Sequence, residues 1–413
     1  MALLSLLNSR MSMERLIPNS DNVQLIWKRI PEKILVVHKF CDDNVIESVK
    51  SLVNYLLQKW DVTVLLEIRT IAELRKDDRF LRVLDRYLLS APPSFEQSIQ
   101  STPAVECACR TPLNPSESVP YPVNYNNQEI NEKSSIRPFE NTHSPEVDLV
   151  VCLGGDGTLL NISSMFQRVV PPVIAFRLGS LGFLTPFPFR AFPSHMESTM
   201  TGTPNCLLRM RLCCQVIRKN SYASTPSNDS SEGSNSRSSS PDTEYHFLNE
   251  LVMDRGLSPF SCNLMVKVNG QKVTHFEGDG LIVSTPTGST AYSMATGASL
   301  LHPWVPAFLL TPINSLVLSS RAIVLPINVR LEIAIAPGAR CRAVHFSFDG
   351  RSRASNLIHE GDSILVTNSP YPIPCLCGSD QAADWFCGLN HLLNWNTRLR
   401  RRSVNYPSPE SAE

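Results

Sequence analysis

The chain has 413 residues with 38 basic and 38 acidic side chains, so it carries no electrostatic footprint for nucleic acid or an anionic membrane. Its length exceeds one ordinary domain, and a hydrophobic content of 42% is enough for two buried cores. Twelve cysteines diluted over such a length, several inside apolar runs (Cys152, Cys213, Cys214), argue against a disulfide scaffold and for a reduced, cytoplasmic setting.

Residues 1–30 read as a flexible leader; Met1 to Leu16 is too short to span a membrane and only weakly resembles a mitochondrial presequence. Lys33 to His38 is a β-branched strand, Asn44 to Gln58 spaces apolar residues at helical intervals, and Asp61 to Ile68 is a second strand. This β-α-β opening predicts a parallel sheet in an α/β domain spanning 31–204. From about 90 to 144 the pattern decays into Pro, Ser, Asn and Thr, read as a disordered insertion.

The organising stretch follows. Leu149 to Leu153 is a doubly buried strand, broken by Gly154-Gly155-Asp156-Gly157-Thr158 and resumed as a helix-spaced segment. Such a turn aims backbone N–H groups at a phosphate. It is neither a dinucleotide fingerprint, because position 160 is leucine, nor a Walker A loop, because no Lys-Ser or Lys-Thr follows. A carboxylate at 156 would repel a pyrophosphate unless it had a task of its own. It could accept a proton, hold magnesium, or merely cap a helix. A second strand, Pro172 to Phe176, ends in another glycine turn, Gly179 to Phe183, expected beside the first.

The 205–370 region predicts an all-β, sandwich-like domain. Its first strand is Leu207 to Arg218, a Ser-rich surface loop spans 220–242, and short strands recur to Val366. Residues 371–400 read as a C-terminal segment and helix, and 401–413 as a solvated tail. Within the β domain, Asn249-Glu250 interrupts apolar alternation with groups suited to the two hydroxyls of a ribose, or to a solvent-facing edge. Gly278-Asp279-Gly280 leads into a buried strand and then into Thr285-Pro286-Thr287-Gly288-Ser289-Thr290 and Ala291-Tyr292-Ser293, a helix start crowded with hydroxyls. Tyr292 could stack on a purine or belong to a core. Asp349, in Ser347-Phe348-Asp349-Gly350, reads as a hairpin tip, with ligand contact an alternative. Cys107-Ala-Cys109 and Cys375-Leu-Cys377 lack a second pair at zinc spacing, so no protein-held metal is expected.

Taken together these residues resemble the NAD kinase family. The likeness rests on Gly154 to Gly157, Asn249-Glu250, the long block Gly278 to Tyr292, and Phe348 to Gly350. The first of these is shared with phosphofructokinases and lipid kinases. The resemblance implies an N-terminal Rossmann-like domain with a phosphofructokinase-like loop, a C-terminal β-sandwich, and a homo-oligomer. It also implies transfer of the ATP γ-phosphoryl group to the 2′-hydroxyl of the adenosine ribose of NAD, with Mg2+ or another divalent cation accompanying ATP. Carried over position by position, Asp156 matches the proton acceptor, with Gly157 beside it. Asn249 and Glu250 match the ribose pair. Asp279 and the run Thr290, Ala291, Tyr292, Ser293, Met294 and Ala295 match further NAD contacts. Gly154, Gly155, Gly157 and Thr158 match the phosphate side. One departure stands out: Leu316 occupies the place of a histidine usual in the family. A lipid or sugar kinase and a dinucleotide-binding sensor without turnover are the rival expectations.

Overall fold

The computed structural model describes residues 11–15, 22–40, 42–88, 134–140, 145–219, 244–351, 356–378 and 381–395. Strands Lys33–His38, Thr63–Leu66, Ser135–Pro138, Leu149–Leu153 and Val173–Arg177 lie side by side and parallel, in the spatial order 173–177, 149–153, 33–38, 63–66, 135–138. Alternation splits each strand between two cores. Leu149, Val151 and Leu153 face one with Ile34 and Val36, whereas Val150 and Cys152 face the other with Leu35 and Val37. Both faces are dry, which is why Leu149–Leu153 reads as an unbroken apolar run. Each such side chain contributes about 1.5–3 kcal/mol by burial. Helix Asp43–Lys59 covers one face through Val49, Leu52, Val53 and Leu56.

Of the remaining strands of this sheet, the return strand from far down the chain joins in parallel, and the strands beyond it are antiparallel to their neighbours. Ile373–Leu376 pairs with Val173–Arg177 on one side and Asn205–Arg209 on the other. Asn22–Trp27 and then Met11–Arg15 follow outward. The flexible-leader expectation is therefore corrected at 11–15 and 22–27: Val23 and Leu25 bury their side chains in the core, and Met11 joins them. The 90–144 expectation is corrected at Ser135–Pro138, which forms the outer parallel strand; most of that insertion, the 220–242 loop and the 401–413 tail lie outside the described residues.

The single strand expected at 207–218 is two. Asn205–Arg209 belongs to the first sheet and Leu212–Ile217 to the second domain. At the crossing, Arg211 is fully buried and donates to the carbonyls of Ser163, Phe166, Arg168 and Tyr371. Three of these acceptors lie at or just past the C-terminus of helix Asp156–Met165, where unpaired carbonyls favour a cation. Burial lowers the Arg211 pKa to about 10, which leaves it charged.

Between residues 212 and 369 the chain builds two six-stranded antiparallel sheets, closing over a core that includes Phe247, Leu251, Val283, Phe308, Ile333 and Phe346. The expected sandwich is thus inserted between two strands of the first sheet rather than appended to it. Helix Gln381–Leu393 follows the return strand. No described helix is long and apolar enough to cross a membrane.

Candidate active site

The two glycine turns meet as the parallel pairing of their strands dictates. Helix Asp156–Met165 begins directly after Gly155. A Cβ on Gly154 would lie 2.3 Å from Thr158 Oγ1, so that position must be glycine for the turn to close. Gly155 and Gly157 differ, because a Cβ on either would meet no protein atom within 4 Å. Both line a cavity of about 650 Å3 together with Thr158, so their bareness leaves room there for a ligand. Lys39, Arg69 and Arg351 line the same cavity, as do the carboxylates of Asp42 and Glu67. Burial raises the Glu67 pKa against the pull of Arg69, and its Oε2 has no hydrogen-bond partner among the described residues.

Asp156 sits between the two turns. Its Oδ2 accepts from the Phe183 N–H at 3.1 Å and its Oδ1 from the Leu184 N–H at 3.0 Å. A Cβ on Gly182 would come within 2.2 Å of Oδ1, which explains the second glycine turn. Burial holds the Asp156 pKa above the ordinary carboxylate range, opposed by the two N–H donors and by Arg209. The carboxylate is not a cap of its own helix; it spans to a neighbouring loop and keeps half its lone pairs free.

From this loop a chain of contacts leads into the second domain. Arg209 donates to the Phe183 carbonyl at 3.4 Å and makes a long contact, 3.5 Å, with Thr287 Oγ1. The turn carrying Thr287 is latched onto Leu248 and Asn249: the Thr285 N–H donates to the Asn249 carbonyl, and Thr285 Oγ1 donates to the Leu248 carbonyl at 2.5 Å. Gly288 lies so close to Asn249 that a Cβ would fall 2.2 Å from its carbonyl oxygen. The backbone N–H of Tyr292 donates to the Glu250 carboxylate, and Ser293 Oγ donates to Ser284 Oγ at 2.8 Å. The ring of Tyr292 is 42% exposed, so it is not a core residue. Thr290, Ala291, Met294 and Ala295 flank it at partly or fully exposed positions.

Asp349 holds this block from behind. It adopts a left-handed backbone conformation (φ 51°), and its buried carboxylate accepts from the N–H groups of Leu248, Asn249 and Glu250 at 3.0, 2.7 and 3.2 Å. Burial raises its pKa against those three donors. Its alternatives resolve into a clamp that presents Asn249 and Glu250. The Glu250 pKa is pushed up to about 7 by burial and by Asp349, and Asn249 Oδ1 and Glu250 Oε2 are buried without partners among the described residues. Two orphaned oxygens on adjacent residues are what a donor such as a ribose hydroxyl would satisfy.

Asp279 lies apart. It precedes strand Gly280–Ser284 while Thr285 follows it, about 20 Å away along the strand. There Asn314 Nδ2 and Arg255 Nε donate to its carboxylate at 2.9 and 2.8 Å and hold its pKa below the usual range. Within one chain it does not join Asn249 and Glu250.

Sequence reasoning missed Lys39, Arg69, Arg209 and Arg351. The two Arg351 terminal nitrogens reach across the domain boundary to Ser164 Oγ at 2.6 Å and Asn161 Oδ1 at 2.8 Å. A basic residue directly after the Phe348-Asp349-Gly350 turn was the one available signal.

Comparison with known proteins accords with this architecture. In curated sequences the chain is 41% identical over 264 residues to NAD kinase 2, chloroplastic, from Arabidopsis thaliana, covering 62% of this chain and 25% of that protein. It is 40% identical over 270 residues to the NAD(+) kinase of Saccharomyces cerevisiae, covering 65% and 49%. It thus spans between a quarter and half of these relatives. The crystal structure of yeast NADH kinase complexed with NADH superposes with a TM-score of 0.70 at 27% identity, covering 96% of this chain and 98% of that one. The ATP-NAD kinase N-terminal domain model matches residues 34–203, and the ATP-NAD kinase C-terminal domain model matches 248–376. With both halves of its fold matched in order, across well over half of its length, this chain belongs to the ATP-NAD kinase family.

Proposed function

We propose that this chain transfers the γ-phosphoryl group of ATP to the 2′-hydroxyl of the adenosine ribose of NAD, giving NADP. The observation that carries the reading is the contact path from Asp156 through Phe183, Arg209 and Thr287 to Asn249. It couples a half-buried carboxylate, flanked in sequence by the cavity-lining Gly155 and Gly157, to a pair of unsatisfied ribose-type acceptors.

ATP lies with its phosphates against Gly154, Gly155, Gly157 and Thr158, where Lys39, Arg69 and Arg351 balance their charge. The adenosine ribose of NAD donates to Asn249 and Glu250, and Tyr292 stacks on the adenine. Asp156 accepts the 2′-hydroxyl proton on a lone pair not used by Phe183 or Leu184. A carboxylate cannot ionise an alcohol beforehand, so the proton moves late, as the new O–P bond forms. Mg2+, or another hard divalent ion arriving with ATP, fits the oxygen donors of Asp42 and Glu67 and the unpartnered Glu67 Oε2. When bound it supplies charge neutralisation on the phosphates.

A homo-oligomer is part of the proposal. Leu316, Val317 and Leu318 are exposed beside the Asp279 partner Asn314, and Ile323 and Val324 are exposed on an edge strand. A second copy covering this apolar surface could carry Asp279 to a neighbouring site. Light scattering giving a monomer at micromolar concentration would remove this part.

The function is tested by mixing the protein with ATP, Mg2+ and NAD and detecting NADP with an NADP-specific dehydrogenase. NADH serves as a second acceptor, because the yeast relative was crystallised with it. NADP formation supports the proposal; NAD binding with no product would replace it with a sensor.

A further inference from the structure

Away from this site, three metal-competent side chains converge at the edge of the sandwich. Strand Tyr245–Phe247 pairs antiparallel with Leu212–Ile217, and the register sets His246 directly opposite Cys213. Glu244, two residues before His246, falls on the same face by strand alternation. The other face carries Leu212, Cys214 and Phe247 into the sandwich core, so these three ligand atoms face outward. One ligand atom from each of Cys213, Glu244 and His246 lies within 4.8 Å of the others.

The imidazole is prepared for a ligand. His246 is 4% exposed, and its Nδ1 has no hydrogen-bond partner among the described residues. Its ring is fixed edge-on against Tyr371 at 5.2 Å, and its backbone N–H donates to Gln167 Oε1 at 2.8 Å. Glu244 is exposed, which provides an entry path, and Gln215 Nε2 donates to its Oε1. The other carboxylate oxygen is left for a metal.

We propose that Cys213, Glu244 and His246 form a zinc site. Mixed sulfur, nitrogen and oxygen donors suit a tetrahedral ion with water in the fourth position, whereas Mg2+ and Ca2+ take oxygen shells. Binding displaces the Cys213 thiol proton to solvent and forms a thiolate–metal bond with no redox change. One thiolate plus one carboxylate cancels the dication's charge, which matters with Arg211 and Arg168 nearby. The site would brace the strand that runs into Asn249 and Glu250, three and four residues beyond His246. Its ligands stand on either side of the serine-rich stretch in sequence, so no compact motif announced it.

The test uses the full chain stripped with a chelator and titrated with Co2+. One equivalent should produce thiolate-to-cobalt charge-transfer absorption and intense tetrahedral visible bands, and Zn2+ should bleach both. Cys213→Ser should abolish the charge-transfer band. Glu244→Gln, at an exposed position, should preserve the fold and weaken Co2+ affinity by about tenfold or more. Absence of the charge-transfer band in the wild type, or unchanged spectra and affinity in both variants, would overturn the site.

Discussion

The glycine-turn edge of the first domain and the latched block of the second are built in opposite ways. At the edge, a side chain on Gly155 or Gly157 would meet nothing, and three cations and two acids line an open cavity. In the block, Thr285, Gly288, Ser293 and Asp349 are bonded or packed so that oxygens of Asn249 and Glu250 are buried yet unsatisfied, with the Tyr292 ring exposed. The difference matches the ligands proposed for each. A polyphosphate is bound by charge and amide hydrogens that need space, whereas a ribose needs two acceptors held in fixed register. Asp156 stands at the glycine-turn edge, and Arg209 links its partner Phe183 to the block, so the proposal makes that carboxylate the residue both ligands share.

The largest expected effect therefore falls on the shared residue. Asp156→Asn keeps the shape and one acceptor for the loop but cannot take the proton. Its kcat should fall by about 10²–10⁴-fold, with NAD affinity measured by calorimetry nearly unchanged. A rate within a few-fold of wild type would reduce Asp156 to a brace between two loops. Next, Arg351→Ala removes one phosphate partner and should raise the KM for ATP by about 10–100-fold while sparing the KM for NAD. Tyr292→Ala should do the reverse, weakening NAD by about 2–10-fold and leaving ATP alone. Equal losses for both substrates in either variant would dissolve the division of labour.

The smallest effect is a pH slope. Glu250 has a folded pKa near 7 against about 4.3 for an unperturbed glutamate. Between these values the folded chain holds a proton that the unfolded chain has lost, so Glu250 makes stability fall as pH rises, with no further change above about 7. Glu250→Gln should flatten that part of the chemical-denaturation profile relative to wild type; parallel profiles would mean that the carboxylate is not desolvated by the block.

Most of the parallel sheet was legible because its inner strands are apolar runs buried on both faces, two of them ended by glycine turns. The strand Leu149–Leu153 and both glycine turns appear where periodicity put them. The sheet crossing at Met210 and Arg211 was not legible, since Leu207 to Arg218 keeps its alternation while changing sheets, and an arginine buried among four carbonyls looks like a surface residue in sequence. Asp349 could be read as a hairpin tip or a ligand contact but not as a clamp, because its three backbone donors lie about a hundred residues earlier. Arg209 and Arg351 escaped for the same reason: their partners are made by the fold rather than by neighbours in the chain.

The central claim is most directly tested by following the terminal phosphate itself. With ATP labelled at its γ-position, Mg2+ and NAD, the account predicts label recovered on the 2′-oxygen of NADP, one for each ADP formed. Release of ADP with the label in free phosphate or on another carrier, and none on NADP, would contradict it.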